Sequence, residues 1–204
     1  MKIYRPRIAD EELKRKLEAF GAVSIVGPKW CGKTTTAEQV AKSAIYMQDT
    51  DMAEEYKRMM RIKPSLLLEG EKPRLIDEWQ MEPGLWDTVR YSVDKLSKEG
   101  LYILTGSVAI DESKIEHSGA GRIGRMKMST MSLYESGDST GEASLKDMFS
   151  GREVSGNSVL SIEDVAAALI RGGWPNSIGK RPSIAYDHIE GYCEAILKSE
   201  VKMV

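Results

Sequence analysis

The residues with the clearest chemical meaning form one short run, Gly27-Pro28-Lys29-Trp30-Cys31-Gly32-Lys33-Thr34, with the spacing G-x-x-x-x-G-K-[ST]. Its glycines allow backbone N–H groups to turn inward and form a concave cradle for phosphate oxygens. Lys33 is placed to reach the outer phosphates of a nucleotide, and the Thr34 hydroxyl is placed to ligate Mg²⁺. We therefore expect a phosphate-binding loop here, with Thr35 as its last member.

Two adjacent carboxylates, Asp77 and Glu78, follow the short apolar pair Leu75-Ile76. A carboxylate at a strand end beside a phosphate loop holds Mg²⁺, usually through water. A second carboxylate directly after it can orient and deprotonate an attacking water molecule. A single Asp is typical of a kinase or a nucleotide switch, so this pair favours hydrolysis of ATP.

Hydroxyl and arginine side chains occur at two further places with the same kind of chemistry. Thr105 and Ser107 follow an apolar run, and either hydroxyl could hydrogen-bond the terminal phosphate or the attacking water. The sequence does not choose between these two. In the segment 119–125, an arginine could stabilise transition-state charge in its own or a neighbouring subunit.

The elements that must position these residues alternate along the first part of the chain. Apolar runs predict buried strands, and amphipathic stretches with stop signals predict helices. The predicted strands cover residues 22–26, 44–47, 74–76, 101–104 and 125–131, and the predicted helices cover 10–20, 34–43, 52–62 and 86–99. Such alternation indicates an α/β fold with a mostly parallel five-stranded sheet, whose ligands bind beyond the carboxyl ends of the strands.

The later part of the chain has a different composition. Residues 135–158 are rich in Ser, Gly and charge and predict an irregular segment with one short helix near 144–149. Helices are predicted from 161 to 171 and from 184 to 198. We therefore predict a core over residues 1–160 and a C-terminal helical segment over 161–204, which would begin a lid or a linker to a second domain.

Composition excludes several classes of protein. The chain has 204 residues, of which 41% are hydrophobic, and its 29 basic and 31 acidic residues give a net charge of −2. No apolar run approaches the roughly 18 residues of a membrane-spanning helix, and no signal peptide is evident. Nucleic-acid binding stays open, since a local basic patch is compatible with this charge. The two distant cysteines, Cys31 and Cys193, predict reduced thiols and a cytoplasmic location.

The motifs together resemble a family of bacterial and archaeal AAA-type P-loop ATPases, most of them uncharacterised. The matching stretches span nearly the whole chain: 4–8, 27–34, 76–80, 104–107, 119–122, 131–135 and 172–175. The resemblance implies an AAA-type core that uses ATP and Mg²⁺. It assigns Lys33 and Thr34 to phosphate and metal, Asp77 to Mg²⁺, Glu78 to the attacking water, and Arg122 to the arginine-finger or sensor position.

Three functions remain after these observations. We expect an ATP-hydrolysing module that powers or gates a partner domain, since longer members of the family carry a C-terminal nuclease-like domain of unknown function. The module could also form a homo-oligomer. The alternatives are a nucleotide or small-molecule kinase and a nucleotide switch that binds ATP without turnover.

Overall fold

A computed structural model describes residues 4–107 and 118–200. Its strands are β1 (Ala22–Gly27), β2 (Ser43–Tyr46), β3 (Arg74–Asp77), β4 (Tyr102–Ser107) and β5 (Ile123–Lys127). They form one five-stranded sheet in the order β2-β3-β4-β1-β5, and every neighbouring pair is parallel. The expected α/β fold with a mostly parallel sheet is confirmed.

The helices are α1 (Ile8–Ala19), α2 (Lys33–Glu38), α3 (Ala53–Ile62), α4 (Gly84–Leu96), α5 (Leu133–Ser136), α6 (Leu145–Phe149), α7 (Ile162–Arg171) and α8 (Pro182–Glu200). Short 3₁₀ turns cover Pro64–Leu68, Trp79–Met81 and Pro175–Ser177. Several predicted boundaries differ from those observed. The helix predicted to reach residue 43 ends at Glu38, and the strand predicted over 125–131 is β5, Ile123–Lys127. The helix predicted over 86–99 is α4, Gly84–Leu96.

Tertiary pairing explains why α2 ends early and why β5 starts early. Ser43 is drawn into β2 because it pairs with Arg74 of β3, so the helix before it must end early. Ile123 joins β5 because it lies beside Ala22 at the first position of β1. Both are contacts between residues distant in sequence, which local propensity does not contain.

The sheet buries apolar residues on both faces, as a parallel sheet between helices must. Alternate strand residues belong to two clusters. One includes Tyr102 and Leu104 with Trp79 and Trp86, and the other includes Ile103. The two indole rings lie 5.0 Å apart, measured between centroids. This two-sided core holds the strands in register, so residues at their carboxyl ends have fixed positions.

The chain divides into two compact units, residues 1–129 and 130–204. The first contains the whole sheet. The second contains α5 to α8, with an ion pair of 2.6 Å between Arg171 and Asp138 and an edge-to-face contact between Trp174 and Tyr192. The boundary that the sequence places at residue 160 falls inside this second unit.

Among the helices of the described ranges, none is both long enough and apolar enough to span a membrane. The cytoplasmic location inferred from the cysteines stays a prediction.

Candidate functional site

The predicted phosphate loop joins the carboxyl end of β1 to the start of α2. A Cβ atom on Gly27 would lie 2.1 Å from the carbonyl oxygen of Met128, so only glycine fits this close approach. Trp30 and Gly32 have positive φ angles of 63° and 102°. Left-handed residues within such a turn help to bring successive N–H groups towards one side, which is how an anion-binding nest forms.

Lys33 is buried beneath this loop rather than extended into solvent. Only 5% of its surface is exposed, and its ammonium group donates to the carbonyl oxygens of Gly27 (3.0 Å) and Pro28 (2.9 Å). These bonds place the positive charge against the backbone that would surround a phosphate. The motif spacing between Gly27 and Lys33 therefore corresponds to a hydrogen bond between these two residues in the structure.

Asp77 is the centre of a buried polar cluster. Its Oδ1 atom accepts hydrogen bonds of 2.6 Å from both the Thr34 and the Thr105 hydroxyls. Gln48 donates to Oδ2 over 3.4 Å, and the aspartate is 2% exposed. Parallel pairing sets Asp77 of β3 opposite Thr105 of β4, so the register of the sheet brings these two together.

Glu78 lies directly beyond β3 in a left-handed conformation, with φ 54° and ψ 43°. This conformation is uncommon outside glycine and occurs often at functional sites. The side-chain amide of Gln80 donates a hydrogen bond to the Glu78 carboxylate. The structure therefore holds Glu78 next to Asp77 with its carboxylate already oriented by a neighbour.

Cys31 is fully buried within the loop, and its thiol lies 3.7 Å from the Met128 carbonyl oxygen. Burial raises the pKa of this thiol above its ordinary value, and the charges of Lys33 and Arg7 oppose that effect without cancelling it. An electropositive loop alone would lower the pKa. Desolvation therefore outweighs the charges here, and the thiol stays protonated at neutral pH.

The sequence reasoning missed the roles of Tyr4 and Arg7, both N-terminal to α1. The Arg7 guanidinium donates to the carbonyl oxygens of Cys31 and Ser129, and the Tyr4 hydroxyl contacts Thr36 of α2 at 3.1 Å. Burial and a hydrogen bond donated to Asp10 raise the pKa of Tyr4 to about 12. Only the matching family stretch over residues 4–8 pointed to this segment.

Arg122 does not lie near the phosphate loop of its own chain. It precedes β5, where its carbonyl accepts from Ala22 at the amino end of β1, whereas the loop follows the carboxyl end. At about 3.3 Å per residue, the length of β1 separates them by roughly 17 Å. The Arg122 guanidinium is bound to Asp94, with an Nε–Oδ1 distance of 2.7 Å.

Other predicted residues have simpler surroundings. Lys29, Trp30 and Thr35 are exposed. Ser107 ends β4 opposite Gly27, but its side chain lies outside the described part of the structure. Of the two candidate hydroxyls, Thr105 is therefore the one with a described contact to Asp77.

The oxygen atoms beside the loop fit Mg²⁺. Thr34 and Asp77 offer a hydroxyl and a carboxylate oxygen that already lie 2.6 Å apart, and Mg²⁺ prefers such oxygen donors. Within residues 4–107 and 118–200, no group of three or more His, Cys, Asp or Glu side chains could hold a metal. A magnesium ion that arrives with nucleotide phosphates needs only one or two protein ligands, so this set suffices.

A family model described as an AAA domain matches residues 19–137 of the chain, which cover the loop, both carboxylates and Thr105. Two uncharacterized proteins, one from Mycobacterium bovis and one from Mycobacterium tuberculosis, are each 31% identical to it over 139 residues. The match covers 67% of this chain but only 31% of each relative. The matched part of the chain thus spans about a third of each relative's length.

A solved structure shares the fold. The Walker-type ATPase of Pyrococcus abyssi superposes with a TM-score of 0.56 at 15% identity, covering 98% of this chain and 75% of that one. At this identity the likeness concerns the arrangement of strands and helices.

Proposed function

The chain belongs to this AAA domain family, and on that premise we propose that it binds ATP with Mg²⁺ and hydrolyses the terminal phosphate. Membership agrees with the resemblance inferred from the sequence motifs and supports an ATP-binding module. Hydrolysis, the metal and the biological output go beyond that membership and rest on the residues of the site.

The convergence of the loop with Asp77 is the observation that carries the proposal. Thr34 from α2 and Thr105 from β4 both donate to one oxygen of Asp77, although these residues are far apart in sequence. The adjacent Lys33 ammonium lies against the loop backbone. This grouping supplies a phosphate cradle, a cation and metal-binding oxygens at one edge of the sheet, as phosphoryl transfer requires.

Each side chain has a distinct role in the proposed reaction. The loop N–H groups and Lys33 bind the β- and γ-phosphates. Thr34 and Asp77 would hold Mg²⁺, which when bound neutralises charge on the phosphate oxygens. Thr105 keeps the Asp77 carboxylate turned towards Thr34 through their shared contact.

Glu78 is the proposed general base. Its carboxylate accepts a proton from water as the water oxygen bonds to the γ-phosphorus. The bond between that phosphorus and the bridging oxygen then breaks, and ADP and inorganic phosphate are released. Gln80 orients Glu78 beforehand, because its amide donates to the same carboxylate.

We also propose that turnover depends on a second subunit. Arg122 lies at the end of β5 opposite the loop, so it cannot reach the phosphates of its own chain without a large rearrangement. In a homo-oligomer it would stabilise transition-state charge at the neighbour's site. The free energy of ATP hydrolysis would drive a partner domain of the kind that longer family members carry.

Replacing Glu78 by Gln tests hydrolysis separately from binding. Glu78→Gln should bind ATP with the parent's affinity while phosphate release falls by about 10²- to 10⁴-fold, because the amide cannot take the proton. ATP binding is measured by calorimetry, and phosphate release is measured without any added acceptor.

Glu69→Gln is the matched control, since Glu69 is exposed and precedes the opposite end of β3. It should behave like the parent. Unchanged hydrolysis in Glu78→Gln would remove Glu78 as the base. ATP binding without phosphate release by the parent chain would favour a kinase or a switch.

A further inference from the structure

The N-terminal segment before α1 is bound to the phosphate loop through one buried arginine. Arg7 is 7% exposed, and its guanidinium donates to the carbonyl oxygen of Cys31 (2.8 Å) and to that of Ser129 (2.9 Å). Cys31 belongs to the loop, whereas Ser129 follows β5. The Arg7 side chain thus connects the phosphate loop to the backbone that follows β5.

The helix start does not account for an arginine at this position. Arg7 is the N-cap of α1, where short oxygen-bearing side chains are preferred and where its own side chain makes no capping bond. Its backbone N–H instead donates to Asp10 over 2.8 Å. A planar guanidinium with several fixed donors can bind these two carbonyl groups at once, which suits an arginine here.

The bond to Cys31 sets the orientation of the next amide. A trans peptide is planar, so its C=O and N–H groups point in opposite directions. In the described residues the cis bond is Lys72-Pro73, and the Cys31-Gly32 peptide is trans. Because Arg7 binds the Cys31 carbonyl, the Gly32 N–H points away from the guanidinium.

We propose that Arg7 is a positioning residue that aims the Gly32 N–H at a bound phosphate. This assignment rests on the proposed function. It adds Arg7, a residue outside the loop motif, to the proposed ATP site. Met128 and Ser129 supply the fixed support, since the Met128 carbonyl also lies against Gly27 and the thiol of Cys31. Without Arg7, the loop loses the hydrogen bond to the Cys31 carbonyl, which orients the Gly32 N–H towards phosphate.

The test compares Arg7→Met with the parent, using the full chain labelled with ¹⁵N-glycine and inorganic pyrophosphate as the probe. In the parent, pyrophosphate should move the assigned Gly32 amide proton downfield, because the amide gains a hydrogen bond to an anion. In Arg7→Met this shift should be largely lost, and the Kd for ATP should rise about tenfold. The Gly124 resonance in β5 reports in each sample that the sheet is intact.

Two further variants make the outcome decisive. Arg15→Met removes an exposed arginine from α1 and should match the parent. Arg7→Lys keeps the charge but cannot bind both carbonyls as a fork, so its Gly32 shift and ATP affinity should be intermediate. It supplies the measurement if Arg7→Met does not fold.

Two contrary results can be distinguished: one overturns only the positioning role of Arg7, and the other also overturns the proposed function. A full Gly32 response and parental ATP affinity in folded Arg7→Met, or in Arg7→Lys if that variant alone folds, would overturn the positioning role and leave ATP binding standing. No response to pyrophosphate and no ATP binding in the parent and Arg15→Met would overturn both the proposed function and this role.

Discussion

Asp77 shows at the scale of single residues how much the sequence contains. Its place after an apolar run predicts a metal-binding carboxylate, and the structure places it beside Thr34 as the motif spacing requires. Gln48 donates to the same carboxylate, but no local pattern marks it, because only the pairing of β2 with β3 brings it there. The motifs therefore predict the contact between Thr34 and Asp77, whereas the contact with Gln48 depends on strand pairing that local sequence does not show.

Cys31 illustrates a different limit at the same scale. A thiol between two cationic side chains suggests a lowered pKa, but burial reverses the direction. The sequence shows charges near in the chain and does not show how completely the thiol is desolvated. The structure supplies that information, since none of the Cys31 surface is exposed.

The two cysteines should therefore react differently with iodoacetamide. Exposed Cys193 should be alkylated readily at pH 8, whereas Cys31 should react slowly and accelerate as the pH rises further, because the thiolate is the reactive form. Peptide mass spectrometry after timed quenching measures both rates. Equal rates at pH 8 would contradict the buried, raised-pKa thiol.

The same shift has a consequence for stability. The folded chain keeps the Cys31 proton at pH values where the unfolded chain has lost it. The stabilisation from this group is therefore complete below the ordinary thiol pKa and is lost as the pH rises through the raised value.

At the scale of elements, the carboxyl ends of β1, β3 and β4 determine where the site forms. Their apolar runs predict the strands, and parallel pairing then aligns Asp77 with Thr105 and Gly27 with Ser107. The ends of α2 and β5 were less predictable, since contacts across the sheet decide both. Met128 and Ser129 follow β5 and do not extend the strand. Their carbonyl oxygens accept hydrogen bonds from the Cys31 thiol and from Arg7, so they support the phosphate loop.

Gly27→Ala tests that support. The added Cβ atom would lie 2.1 Å from the carbonyl oxygen of Met128. This oxygen belongs to the backbone, so it cannot move aside as a flexible side chain would. We expect the free energy of unfolding to fall by about 1–3 kcal/mol, as for other overpacked sites, and ATP binding to weaken. Chemical denaturation and calorimetry measure the two effects.

Gly191→Ala is the control for the backbone entropy of replacing glycine by alanine. Gly191 lies in α8, where an added Cβ atom would meet no neighbouring atom within 4 Å, so alanine should stabilise the helix by roughly 0.5–1 kcal/mol. Equal stability changes in the two variants would show that the contact with Met128 is unimportant.

At the scale of the whole molecule, the placement of Arg122 predicts cooperation between chains. It lies at the amino end of the sheet and is bound to Asp94, whereas the loop lies at the carboxyl end. Arg122→Ala should lose most phosphate release, and Lys33→Ala should lose all of it. A mixture of the two should regain part of the activity, because Arg122 of the Lys33→Ala chain can serve the intact loop of the other.

Phosphate release by each variant alone and by the mixture, at the same total concentration, measures this complementation. Unchanged activity in Arg122→Ala would exclude a catalytic role for Arg122. A mixture as inactive as its components would argue against action between subunits.

The proposed function requires that the loop bind ATP through Lys33. ATP binding and phosphate release should be measured in the presence of Mg²⁺ on the parent, on Lys33→Ala, and on Lys42→Ala as an exposed-lysine control. We predict that the parent and Lys42→Ala bind ATP and release phosphate, and that Lys33→Ala binds at least about tenfold more weakly and releases none. Parental binding by Lys33→Ala, or no ATP binding by the parent, would contradict ATP binding through Lys33.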